Sequence, residues 1–350
     1  MKLFSFAFFI LSIALTFSFR KTSPSADSTS FAPKENLSEY GFFRGKIADQ
    51  LPAEGVVPYQ LNTPLFSDYA EKLRFVKLPA GTTVAYNAER VLDFPVGTTI
   101  IKTFYYPNDF RNPTAGRRIM ETRLLVHEES GWKALEYVWN DDQTDAYLEV
   151  AGETKEVSWI HSDGKKRTIQ YSMPNQNQCK GCHNQNEKMQ PIGPSARQLN
   201  GDFEYGEKEN QLVHWQKVGL LTGLPTLADV PKAPVWNDPA SGTLEARARA
   251  WLDINCAHCH RNEGPAKTSG LMLNYDETDL TKLGILKAPV AAGRGSGGRQ
   301  YSIVPGQPEK SILLYRMEST DPGEMMPELG RKTTHTEGVA LVREWIRSLK

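Results

Sequence analysis

The sequence predicts a multi-domain α+β chain, with an antiparallel β-rich N-terminal domain followed by a mainly α-helical part. Three observations predict it. Between about 40 and 172, short β-branched and aromatic runs are separated by Gly, Pro, Asn and Asp clusters, as in a meander or sandwich. Beyond residue 240, stretches of good helix formers with a one-sided apolar stripe take over. All four cysteines fall in two copies of one pattern, Cys-x-x-Cys-His.

In chain order, Met1-Lys2, an apolar run from Leu3 to Phe19 and then Arg20-Lys21 have the layout of a signal peptide or N-terminal anchor over residues 1–20. No clean Ala-x-Ala cleavage site follows it. The expected location is therefore exported and periplasmic, with membrane contact only through this segment if it is uncleaved. Residues 21–39, rich in Ser, Thr, Pro and charge, read as a flexible tether. The β-rich domain spans 40–172, with strands expected over Thr98–Tyr106, Glu121–Val126, Trp132–Trp139 and Ala146–Val150. Residues 173–239 hold the first Cys-x-x-Cys-His copy, a short helix within Asn210–Leu221 and a proline-rich linker. Residues 240–350 hold the second copy, with helices expected at Leu244–Leu252, Glu309–Met317 and Thr336–Leu349. Lys+Arg and Asp+Glu both number 41, a balance that gives no support for nucleic-acid binding.

Cys179-Lys180-Gly181-Cys182-His183 and Cys256-Ala257-His258-Cys259-His260 carry the chemistry. Two thiols three positions apart can form thioethers to porphyrin vinyl groups, and the following histidine can ligate iron, so two covalently bound haem c groups are expected. Competing readings are a zinc site, a redox dithiol and a disulfide between the segments. Zinc would want the four thiolates gathered and has no use for a histidine after each second cysteine. A thioredoxin-type dithiol would need a βαβ setting that neither copy has.

His183 and His260 are thus the expected iron ligands from the motifs. For the second haem, the expected sixth ligand is Met326, immediately before Pro327, with Met325 as the alternative. For the first, the expected ligand is His214, held on a helix beside Trp215, while Met173, Met189 and His161 are other candidates. His258 reads as a spacer pointing away from the iron, and His127 and His335 have no constellation around them. Gly293 to Gly298 spells G-x-G-x-x-G, but no helix follows to receive a pyrophosphate, so it reads as a loop.

With both motifs in view, the chain resembles a little-characterised bacterial family of exported di-haem c-type cytochromes with a β-rich N-terminal region. The resemblance runs from about Tyr40 onward and is carried by Thr103–Pro107, Glu121–Val126, Asn177–His183, Pro191–Pro194, Asn255–His260 and Val304–Pro308. The C-terminal part also resembles a class I cytochrome c in its order of helix, haem motif, methionine loop and final helix, which implies cytochrome c-like haem domains. The resemblance implies electron transfer between periplasmic donor and acceptor proteins, and names a parallel β-helix protein as one candidate partner. Two alternatives stand beside it: a di-haem peroxidase-type enzyme with an open first haem, and a binding or sensory module that uses the β domain.

Overall fold

Six strands joined in sequence order form the largest element of the fold, which is a computed structural model describing residues 31–350. The expected signal or anchor, and the tether as far as residue 30, lie outside the described residues. The strands are β1 (Val56–Tyr59), β2 (Glu71–Lys77), β3 (Thr99–Pro107), β4 (Arg117–Glu128), β5 (Gly131–Trp139) and β6 (Ala146–Glu149). Each runs antiparallel to the next, so the sheet is a plain meander. A tight turn at Glu129-Ser130 joins β4 to β5 and fixes their register, with Glu128 opposite Gly131.

The sheet is buried on both faces along β3 and β4. On one face Thr103 Oγ1 lies 2.8 Å from Thr122 Oγ1, and Trp139 Nε1 donates to that same Thr122 hydroxyl at 3.0 Å. A separate hairpin, β7 (Glu153–Ile160) with β8 (Lys166–Met173), packs Trp159, Tyr171 and Met173 against Phe104, Tyr106 and Val138.

The expected mainly helical, cytochrome c-like C-terminal part is not what forms. The described residues are β-rich and only 26% helical, and their architecture is dominated by the six-stranded sheet. The seven α-helices among the described residues are short: α1 (Gln176–Cys182), α2 (Ala196–Leu199), α3 (Gln211–Lys217), α4 (Leu244–Leu252), α5 (Leu280–Leu283), α6 (Ile312–Glu318) and α7 (Thr336–Ser348). Between α4 and α6 the only α-helical segment is α5. The reason is punctuation. Gly264, Pro265, Gly270, Gly284, Pro289 and Gly293 recur before a helix nucleus can be extended enough to repay its cost. The helix expected at Glu309–Met317 is likewise split: a 3₁₀ turn, Pro308–Lys310, precedes α6. Buried Ser311 stands between them, its hydroxyl donating to the Gln307 carbonyl and accepting from Val304 N–H.

Pro33 to Lys350 forms one compact unit. One apolar core joins Tyr59, Val76 and Ile100 from the sheet region to Leu199, Trp215 and Ile254, so the expected boundaries at 172 and 239 do not separate cores. The tether does not reach residue 39, because Leu37 is 1% exposed and Ser38 N–H donates to Asp145. A second core is built from α4, α6 and α7 around Trp251, Leu314, Val342 and Trp345. There α4 and α7 approach closely at Gly338, where a Cβ would stand 2.6 Å from Trp251 Nε1. No helix among the described residues is long and apolar enough to cross a membrane.

Candidate functional site

The first motif is set by a capping box. Asn175 Oδ1 accepts from Gln178 N–H, and Gln178 Oε1 accepts from Asn175 N–H, both at 2.9 Å, which starts α1 at Gln176, three residues before Cys179. The helix carries Cys179 and Cys182 and ends on His183, whose N–H donates to the Cys179 carbonyl. A small hairpin, Asn184-Gln185 with Lys188-Met189, then returns the chain so that the Gln190 carbonyl lies 2.8 Å from His183 Nδ1. A carbonyl can only accept, so Nδ1 carries the proton and Nε2 keeps its lone pair. Burial holds the His183 imidazole down at about 4, against the opposing pull of that carbonyl, so the ring is neutral near pH 7.

The second motif continues α4. After Leu252 the helix widens through a π turn, Asp253–Ala257, that contains Cys256. Asn255 locks this turn by donating to the Trp251 carbonyl at 2.9 Å and accepting from Phe66 N–H at 2.8 Å. His260 Nδ1 lies 3.3 Å from Ser269 Oγ, and the Leu271 carbonyl also supports the ring. Burial again depresses the imidazole to about 4. Gly264 is required because the loop turns back onto the Cys259 carbonyl, where no Cβ fits.

The two motifs touch. Cys182 lies beside Cys259 and His258, and these neighbours draw its thiol down to about 4 while Cys259 is driven up. Cys259 Sγ lies 3.9 Å from the Gly181 carbonyl, and Asn186 N–H donates to Glu263 O at 2.8 Å. Burial pushes Cys179 up to about 11 and Cys256 up to about 12. His258 faces the first motif: it is buried beside Cys182 and His183, and its Nδ1 has no partner among the described residues.

Comparison with protein-family models, curated proteins and solved structures finds no match to this chain. The site therefore has to be read from its own geometry.

Beside the first motif lies a cavity of about 220 Å³, bounded by Cys179, Cys182 and His183 on one side and by the sheet on the other. Its apolar wall includes Ile100, Leu124 and Leu135. Met325, 6% exposed, closes it from the loop before α7. Met326 is half-buried and lies outside the lining, with its N–H on the Arg316 carbonyl at 2.9 Å. His214 also lies outside the lining. Its Nδ1 is 2.6 Å from Glu209 Oε1, and its ring stacks on Tyr205 at 3.5 Å. Met173 is buried in the hairpin core, Met189 sits in the small hairpin, and His161 accepts from Trp159 Nε1 at 3.3 Å.

Two features of the cavity were not read from the sequence. Asp68, buried at φ +49°, accepts from Lys332 N–H, Thr333 N–H and Thr333 Oγ1, all at 2.8 Å, and so ties the methionine loop to the sheet region. The second feature is a row of charge across the sheet. Arg74 on β2 stands opposite Lys102 on β3, which stands opposite Arg123 on β4, which stands opposite Glu136 on β5. Arg74, Lys102 and Arg123 all line the cavity.

Two thiols and a neutral imidazole with a free Nε2, next to an apolar cavity, form a donor set that fits a c-type haem at Cys179–His183. The second motif also offers two thiols and a neutral imidazole, whose Nδ1 lies 3.3 Å from the Ser269 hydroxyl. A gathered four-thiolate zinc site is not formed, since no group of three or more His, Cys, Asp or Glu side chains converges for a metal among the described residues.

Proposed function

We propose that the chain is an exported di-haem c-type cytochrome that passes electrons between periplasmic donor and acceptor proteins. The observation that carries the reading is the fixed tautomer of His183, whose Nδ1 is held on the Gln190 carbonyl beside paired thiols and an apolar cavity. A buried structural histidine would spend both nitrogens on protein partners, whereas an iron ligand needs Nε2 left free.

The residues divide the work. Cys179, Cys182 and His183 would hold one haem, and Cys256, Cys259 and His260 the other. Each haem supplies a reversible one-electron couple. The contact of Cys182 with His258 and Cys259 brings the two attachment segments side by side, which suits passage of an electron from one to the other. The apolar wall of Ile100, Leu124 and Leu135 limits water and so helps set the potential at the first motif. Met325, at the cavity wall, would be the methionine to approach the first haem, and Met326 would serve the second.

The test is export of the full chain from a host that matures c-type cytochromes, followed by haem quantification and optical spectroscopy. Two covalent haems, both low-spin and six-coordinate, are expected. A haem-free product in which Cys182 is joined to Cys259 would overturn the reading.

A further inference from the structure

Three cations stand side by side on neighbouring strands, an arrangement that is destabilising when nothing answers it. Arg123 is answered, since it pairs with Glu121 at 2.5 Å and approaches Glu136 at 3.9 Å. Arg74 and Lys102 are not. The Arg74 side chain is buried, makes no hydrogen bond or ion pair among the described residues, and has its Nη2 without a partner on the wall of the cavity. Lys102 has the face of Phe104 4.7 Å from its Nζ and no ion pair among the described residues, the nearby Glu121 carboxylate being already paired with Arg123. Of the other charges around the cavity, Asp68 is committed to the backbone of Lys332 and Thr333, Arg331 to the carbonyls of Met326, Arg316, Ser319 and Thr333, and Glu328 lies toward Arg316 at 4.0 Å; Glu328 and Lys332 are both exposed at the rim. A buried guanidinium beside a second unpaired cation calls for an anion that enters the cavity, and carboxylate is the anion whose two oxygens match a guanidinium fork.

We propose that Arg74, with Lys102 beside it, binds the propionate carboxylates of the haem attached at Cys179–His183. This rests on the haem reading above. The thioether-bearing edge of the group would be fixed by α1, and the carboxylate-bearing edge by the cation row on β2 and β3. The row gives this first site a charge environment that the second motif, packed among α4, α6 and α7, does not share.

The test compares wild type, Arg74→Gln and Arg74→Lys as exported full-length chains, with potentials measured by spectroelectrochemistry. The first haem is assigned from a Cys256→Ala chain. In Arg74→Gln the equilibrium constant for reducing the first haem is expected to fall at least tenfold, about 59 mV for one electron, with the second haem unchanged. Arg74→Lys, which keeps the charge, is expected to recover most of the loss. Succinate added to wild type at constant ionic strength separates a haem propionate from a free carboxylate and is expected to leave both potentials unmoved. Equal first-haem potentials in wild type and Arg74→Gln would overturn the proposal while leaving the haem reading intact, and so would a shift induced by succinate. A chain with no haem at Cys179–His183 would overturn both.

Discussion

The two Cys-x-x-Cys-His segments share a pattern and little else. The first begins on a one-turn capping box, ends on a small hairpin and faces a β-sheet whose residues come from as far back as β1. The second is the tail of a helix that already belongs to a packed helical core, reached through a π turn that Asn255 holds in shape. One site is thus assembled from remote sequence and the other largely from local sequence. The same five-residue pattern can be supported by either a sheet or a helix pair, and the support decides which charges and side chains surround it.

Asp68 offers the largest test of that contrast, because it ties the methionine loop to the sheet region beside the first site. Asp68→Ala removes the acceptor for two backbone N–H groups and a hydroxyl, and is expected to cost about 3 kcal/mol in denaturant unfolding. It should also alter the spectrum of the first haem more than that of the second. Equal disturbance of both would show that the loop serves the two sites alike.

The next test is pH. Below the first motif, Glu121 and Glu136 share one guanidinium, Arg123, and Tyr171 donates to Glu121 at 2.6 Å. Burial and the neighbouring Glu121 push the Glu136 carboxyl up to about 10, from 4.5. A folded value above the unfolded one means that Glu136 contributes its full stabilisation below about pH 4.5 and loses it as the pH rises toward about 10. Glu121 is shifted the other way, downward, with Arg123 answering the cost of its burial, so its contribution is lost in acid. Glu136→Gln, which keeps the neutral shape, is therefore expected to flatten the decline in stability between neutral and alkaline pH without changing the acid limb. Urea unfolding at a series of pH values checks it, and parallel curves for the two proteins would refute it.

The smallest effect is expected at the second site. Ser269→Ala removes the hydroxyl 3.3 Å from His260 Nδ1, while the Leu271 backbone still supports the ring. A weaker Nδ1 bond makes the ring a poorer donor, so the second potential should rise by no more than about 40 mV, the equivalent of one net hydrogen bond. Voltammetry resolves this from the first haem, whose potential should not move.

These contrasts also show what was legible in the sequence. The two Cys-x-x-Cys-His copies are visible in the sequence because each is a local pattern written in five residues, and the structure adds that they lie side by side. The strands were nearly as visible: Thr98–Tyr106 and Trp132–Trp139 forecast β3 and β5 within a residue or so, because β-branched and aromatic runs bounded by turns carry a period of their own. The helical C-terminal part was overread, since two good helices, α4 and α7, were extended in expectation to the looped chain between them. Arg74, Lys102 and Arg123 are widely spaced along the chain, and only the register of three strands aligns them. His214 on its helix was read in isolation, without Glu209 and Tyr205 from the neighbouring hairpin. Met325 and Met326 differ by one position, and which of them faces a cavity is decided by how Asp68 and Arg331 fold the loop.

The contact between Cys182 and Cys259 has a consequence for the order of assembly. In the finished fold Cys259 Sγ lies 3.9 Å from the Gly181 carbonyl, so the two attachment segments abut. On the proposed function, attachment of both haems before the segments close would avoid that crowding. A chain that closed first in an oxidising compartment would hold two neighbouring thiols open to oxidation, which would compete with the attachment proposed for them.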